Sequence, residues 1–152
     1  MAQTKIYLAA PFFTPEQIDM VEVLEKQLAV FNNFEVFSPR KIGGVLKDMK
    51  PKKRQATAKE VFESNIYGIH DAEVMLAWVD GYDPGVMVEL GIAYEYNIFI
   101  IGFTKNPKGM NVMLACLMDT YCENFKELAE LLTQLSYIGV SALNRKQGEV
   151  TT

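Results

Sequence analysis

Apolar residues along the chain fall into short continuous runs and longer spaced stripes, and the two alternate. Residues 5–10 (KIYLAA) form a run closed by Pro11, which predicts a buried first strand. Thr14-Pro15-Glu16-Gln17 predicts a helix start, with Thr14 as N-cap, Pro15 at N1 and Gln17 completing a capping box. Ile18, Val21, Leu24, Leu28 and Phe31 follow at helical spacing until Asn32-Asn33. A short strand is predicted at 34–37, a helix at 57–69 and a buried strand at 73–79 (EVMLAWV). A helix at 86–96, a strand at 98–103 (IFIIGF), a short helix at 111–118, a short strand at 120–122 and a helix at 125–135 complete the series. The tail from Ser136 turns polar.

Continuous apolar strands alternating with helices predict a parallel sheet covered on both faces. The expected fold is an α/β three-layer sandwich, flavodoxin-like or Rossmann-like, with a five-stranded mainly parallel sheet. Residues 1–152 are expected to form a single domain, with no internal repeat. The stretch 40–55 breaks the pattern, and eight of the 15 Lys and Arg residues lie between Arg40 and Lys59. It is expected to be a mobile basic loop, either solvated or attracting phosphate.

Composition narrows the chemistry. Net charge is −4, which argues against nucleic acid as a partner. With one histidine (His70) and two cysteines (Cys116, Cys122), multi-histidine and four-cysteine metal sites are excluded, and neither a metal nor a cofactor is expected. Both cysteines read as reduced thiols of a cytoplasmic protein. The N-terminus carries no signal-peptide pattern, and no run is long enough for a membrane helix. Neither a dinucleotide-binding nor a phosphate-loop glycine pattern is present.

Ligands of open parallel sheets bind beyond the strands' C-terminal ends. The segment there with most chemistry is D-G-Y-D-P-G-V-M-V-E-L-G, residues 80–91. Glu89 is the one charged residue between Val86 and Tyr94. A carboxylate among apolar neighbours needs a partner, and a helix start favours its ionised form. In a partly dry cleft it is a candidate nucleophile toward a sugar carbon; otherwise it is a helix glutamate pointing to water. Asp83 is a helix N-cap before Pro84, a role compatible with a site at the strand end. Asp80 reads as a turn residue and His70 as a cap or surface residue. Tyr7, buried in the first strand, needs a hydroxyl partner, and a nearby carboxylate would serve. Phe12 and Phe13 are core residues or a platform for a planar base.

Four segments together resemble one family. I-Y-L-A-A-P-F-F (6–13), N-I-Y-G-I-H-D-A-E-V-M-L (65–76), D-P-G-V-M-V-E-L-G (83–91) and N-V-M (111–113) resemble the nucleoside 2-deoxyribosyltransferases, in matching order along nearly the whole chain. The resemblance implies a double displacement between a 2'-deoxynucleoside and a free purine or pyrimidine base, with retention and with hydrolysis as a side reaction. It implies Glu89 as nucleophile, Tyr7 orienting it and Asp83 on the sugar 5'-hydroxyl. It further implies Phe12 and Phe13 around the base, and Asn111 and Met113 reaching into a neighbouring subunit. A dimer-based homo-oligomer, up to a hexamer, with shared sites is therefore expected.

At Asn65 the chain departs from the family, which usually places there an Asp that handles the proton of the base. An amide is no general acid, and Asp71, six residues on, is an alternative. A related branch hydrolyses deoxynucleoside 5'-monophosphates and tends to carry Ser where this chain has Asp83. Asp83 would repel a 5'-phosphate by on the order of 4 kcal/mol per charge at ~4 Å and an effective dielectric of ~20. A monophosphate N-hydrolase and a non-catalytic nucleoside sensor are the competing readings.

Overall fold

Five strands, β1 (Thr4–Ala9), β2 (Phe34–Phe37), β3 (Val74–Trp78), β4 (Phe99–Phe103) and β5 (Thr120–Cys122), form one sheet in the order β2-β1-β3-β4-β5. Every pairing is parallel, where the sequence pattern had indicated only a mainly parallel sheet. The computed structural model describes residues 3–43 and 49–150. Helices α1 (Pro15–Ala29) and α6 (Phe125–Ile138) cover one face. Helices α3 (Pro51–Asp71), α4 (Pro84–Glu95) and α5 (Val112–Leu117) cover the other, and α2 (Arg40–Gly43) is a single turn.

The alternation of side chains in β1 shows why two layers are needed. Ile6 and Leu8 pack with Leu24, Leu28 and Leu132 on the α1/α6 face. Tyr7 and Ala9 pack with Ile69, Val86 and Leu90 on the other. A strand buried on both faces must be apolar throughout, so these strands read as continuous runs. Gly102 in β4 permits one close approach: a Cβ there would collide with the Met118 sulfur.

The boundaries follow local chemistry. Thr14 caps α1 in a capping box: its hydroxyl accepts from Gln17 N at 3.2 Å, and the Gln17 side chain accepts from Thr14 N at 3.2 Å. Asp83 caps α4, its Oδ2 accepting from Val86 N at 3.1 Å. Gly139, with φ of 92°, ends α6 three residues beyond the expected Leu135. In the tail, Leu143 is buried and Met110 bridges Val150, so this polar segment is tied to the body.

The basic stretch departs most from expectation. Helix α3 begins at Pro51, not Thr57, and α2 occupies 40–43. Proline at N1 and the helix-favouring Lys, Arg, Gln and Ala that follow start the helix without an apolar stripe, because its first residues are exposed. Arg40 pairs with Glu25 of α1, which anchors α2. Residues 44–48 of the expected loop lie outside the described residues.

The order reverses between β1 and β3, where successive crossovers leave toward opposite edges; in open parallel sheets this switch point is where a ligand crevice lies, at the strands' C-terminal ends. Asp80 braces this rim. Its Oδ1 accepts from the Thr104 hydroxyl at 2.6 Å and its Oδ2 from Lys105 N at 3.0 Å, tying the end of β3 to the end of β4. Thr104 is buried, so its hydroxyl has no ready access to water. Asp80→Ala is expected to destabilise the protein by about 2–3 kcal/mol, read from the urea midpoint, because it orphans this donor. An unchanged midpoint would show that the brace carries no stability.

Candidate active site

The crevice at the β1/β3 switch point holds a carboxylate that burial makes costly. Glu89 lies in the second turn of α4, on the helix that starts directly beyond β3. It is partly buried, and Tyr7 of β1 donates its phenolic hydrogen to Glu89 Oε2. Tyr7 itself has no exposed surface. The pair answers two needs together: the buried hydroxyl requires an acceptor, and the partly dry carboxylate requires a donor. Glu89 therefore does not simply point to water.

Burial pushes the Glu89 carboxyl up to about 7; the Tyr7 hydrogen bond pulls it down and the nearby Asp83 charge pushes it further up. The sequence pattern had suggested that the helix dipole would favour the ionised form. That influence falls off within the first turn, and Glu89 stands beyond it, so loss of water dominates. The sign is that of a raised carboxylate. Its protonated form favours the fold, and that contribution is lost as pH rises from the ordinary value of 4.5 through about 7. Tyr7 is displaced upward by its own burial first and then by the Glu89 charge, so its hydroxyl stays protonated and remains a donor.

A tight turn leads into α4. Gly81 (φ of 85°) and Tyr82 (φ of 50°) are both left-handed, and Tyr82 N donates to Val79 O at 3.3 Å. A non-glycine residue with positive φ is uncommon, and such residues gather at functional turns. The reversal carries Asp83 to the rim as the cap of α4.

The remaining expected residues are placed unequally. Phe12 and Phe13 follow β1 and stack on each other, with centroids 5.0 Å apart; Phe12 packs on the α1/α6 core and Phe13 is 67% exposed. Asn65 lies on α3, partly buried, and its Oδ1 is buried without a hydrogen-bond partner among the described residues. Asp71 is the last residue of α3, at the N-terminal edge of the sheet, where its carboxylate pairs with Lys5 Nζ at 3.1 Å. It thus lies at the opposite end of the strands from the crevice and is not brought to Glu89. Asn111 caps α5, accepting from Met113 N at 2.8 Å, and both residues are exposed, Met113 by 72%.

Two residues outside the expected set support the site: Thr104, the partner of Asp80, and Phe37, stacked on Tyr7. His70 is exposed and stacks on Tyr96. Cys122 is buried, donates to Gly102 O at 3.7 Å, and burial pushes its thiol up to about 12. A cavity of about 500 Å3 lined by Gln3, Phe31, Asn33 and Tyr137 sits below the strands' N-terminal ends and holds none of these groups. Among the described residues no three His, Cys, Asp or Glu side chains are grouped to hold a metal ion, and no helix is long and apolar enough to cross a membrane.

Comparison with known proteins places this chain in a family. A solved structure of a 2-deoxyribosyltransferase from the psychrotolerant bacterium Bacillus psychrosaccharolyticus matches with a TM-score of 0.72 at 26% identity, over 95% of this chain and 98% of that one. A conserved protein from Enterococcus faecalis V583 matches with a TM-score of 0.69 at 19% identity, over 88% and 99%. A CMP N-glycosidase from Clostridium botulinum matches with a TM-score of 0.60 at 15% identity, over 86% and 99%. At those last two identities the likeness is one of fold. No curated protein sequence matches significantly. The nucleoside 2-deoxyribosyltransferase family model matches residues 6–135, a span that takes in both Tyr7 and Glu89. The chain belongs to the nucleoside 2-deoxyribosyltransferase family, and is a pentosyltransferase.

Proposed function

We propose that the protein exchanges the base of 2'-deoxynucleosides through a covalent deoxyribosyl-Glu89 intermediate. The observation that carries this reading is the Tyr7–Glu89 pair at the switch-point crevice, in a chain of this family. Tyr7 holds Oε2, which leaves the second carboxylate oxygen to meet the sugar. That oxygen attacks C1', the C1'–N bond breaks, and its electron pair departs with the base. An incoming base nitrogen then attacks C1' from the opposite face, the ester bond breaks, and the incoming base loses its proton. Two inversions give net retention. Water in place of the second base gives hydrolysis as a side reaction.

Each neighbour has a part in this scheme. Partial desolvation leaves the carboxylate reactive, and the phenol keeps enough of it ionised near neutral pH. Asp83 retains an acceptor oxygen beside its capping bond and would take the 5'-hydroxyl of the sugar. Its negative charge disfavours a 5'-phosphate, which supports nucleosides over nucleoside monophosphates. The orphaned Asn65 carbonyl suits a donor on the base, and its amide supplies no acid, so the departing base takes its proton elsewhere. Phe12 and Phe13 would flank the base.

Assembly follows the same logic. Helix α4 is apolar around its circumference: Val86, Leu90 and Ala93 are buried while Val88 and Tyr94 are exposed. A helix apolar on all sides is covered on all sides. A homo-oligomer in which exposed Asn111 and Met113 complete a neighbour's crevice accounts for both exposures.

Mixing thymidine or deoxyinosine with adenine is expected to yield deoxyadenosine by chromatography, and Glu89→Ala to abolish it; no exchange with any base pair would refute the reading. The rate is expected to fall below a limb near pH 7, where Glu89 protonates, and Tyr7→Phe to move that limb upward by removing the bond that favours the carboxylate. A limb near pH 4.5 in both proteins would show that desolvation does not act on the reacting group. Asn65→Asp is expected to speed departure of bases that leave protonated by about tenfold or more, and an unchanged or slower rate would remove residue 65 from contact with the base.

A further inference from the structure

Tyr7 directs Glu89, yet a tyrosine ring can tilt about its own side-chain bonds, and its hydroxyl moves most when it does. What fixes the ring lies outside the carboxylate pair. Tyr7 of β1 and Phe37 of β2 are register partners in the parallel sheet, so their rings leave neighbouring strands at one level on one face. The rings stack with centroids 5.2 Å apart and planes 11° from parallel, close to the ~4.8 Å spacing of adjacent strands. Phe37 is held in turn from above. Helix α3 crosses it at Gly68, a buried residue, and a Cβ there would fall 2.9 Å from three carbons of the Phe37 ring. No real side chain fits that distance without displacing the ring. A glycine inside a helix costs helix stability relative to alanine, so its presence at the 18th of 21 residues of α3 asks for a packing reason.

We propose that Gly68 and Phe37 are positioning residues for the reacting carboxylate: Gly68 admits the Phe37 ring beneath α3, Phe37 sets the plane of Tyr7, and Tyr7 aims Glu89. The chain of contacts runs Gly68–Phe37–Tyr7–Glu89, from α3 through β2 and β1 to α4. Neither Gly68 nor Phe37 has a side chain that can hydrogen-bond the carboxylate. The inference rests on Glu89 as the reacting group and goes beyond it, by placing control of its aim one and two layers behind. The groups that act electrostatically on Glu89 are Tyr7 and Asp83, and the stack governs the first of these alone.

The test is kinetic, on the full chain, with base exchange as the reaction. Gly68→Ala is expected to lower kcat about 10–100-fold with the KM for the nucleoside within about threefold, since small misplacements of reacting groups cost rates of this order. It is also expected to move the acid limb of the rate upward, toward that of Tyr7→Phe, because a tilted phenol no longer favours the carboxylate. Phe37→Leu removes the stack while leaving room, and is expected to show the same two changes in a protein that still unfolds cooperatively, at a somewhat lower temperature. The double variant, Gly68→Ala with Phe37→Leu, is expected to be no worse than Phe37→Leu alone, because the clash has lost its object. A merely structural role for Gly68 would lower the thermal transition and leave the limb in place. A wild-type limb and kcat in folded Gly68→Ala, or in Phe37→Leu should Gly68→Ala fail to fold, would overturn the proposal, as would strictly additive losses in the double variant. Glu89→Ala separates the two levels: activity without Glu89 refutes the reading of the reaction, whereas an inactive Glu89→Ala beside an unimpaired Gly68→Ala and Phe37→Leu refutes the positioning stack alone.

Discussion

A carboxylate kept partly out of water is tolerable only if something in the protein replaces the water it has lost. Here the replacement is the Tyr7 hydroxyl, and much of the site is arranged around that bond. Burial and the Asp83 charge push the Glu89 proton on, and the phenol pulls it off; the balance near 7 leaves a group poised between its two forms at neutral pH. Because Tyr7 is itself buried and held as the protonated phenol, it acts as a fixed donor and does not trade protons with its partner.

That bond joins β1 to α4, two elements far apart in sequence, and the sheet order makes them neighbours. In the order β2-β1-β3-β4-β5, the reversal at β1/β3 opens the crevice, and α4 begins at its edge. The left-handed turn at Gly81-Tyr82 and the Asp83 cap set where α4 starts, and the Asp80–Thr104 brace keeps the ends of β3 and β4 together beside it. Asp83 caps α4 with one carboxylate oxygen, and the proposed contact with the sugar would use the other.

Much of this was legible from the residues because strands buried on both faces leave continuous apolar runs. Capping chemistry also has a fixed vocabulary: Thr14-Pro15 and Asp83-Pro84 announced their helices. Glu89 stood out for being charged where its neighbours are apolar. What the pattern could not carry was three-dimensional. Pro51 to Gln55 fold as exposed helix, which leaves no apolar period to read. Asp71 looked like a replacement for the acid absent at Asn65, but six helical residues carry it about 9 Å along α3, to the wrong end of the sheet and to Lys5. The Tyr7–Phe37 stack depends on strand register and was silent in the sequence, although a glycine inside α3 was a signal that something packs there.

A covalent bond between Glu89 and the sugar can be observed directly. The protein is mixed with a deoxynucleoside without acceptor base, quenched in acid within milliseconds, and its peptides are weighed. An added deoxyribosyl mass is expected on the peptide carrying Glu89, appearing with the burst of free base and disappearing when adenine is added before the quench. Release of base at full rate with no mass added to any peptide, or with the mass on a peptide lacking Glu89, would contradict it.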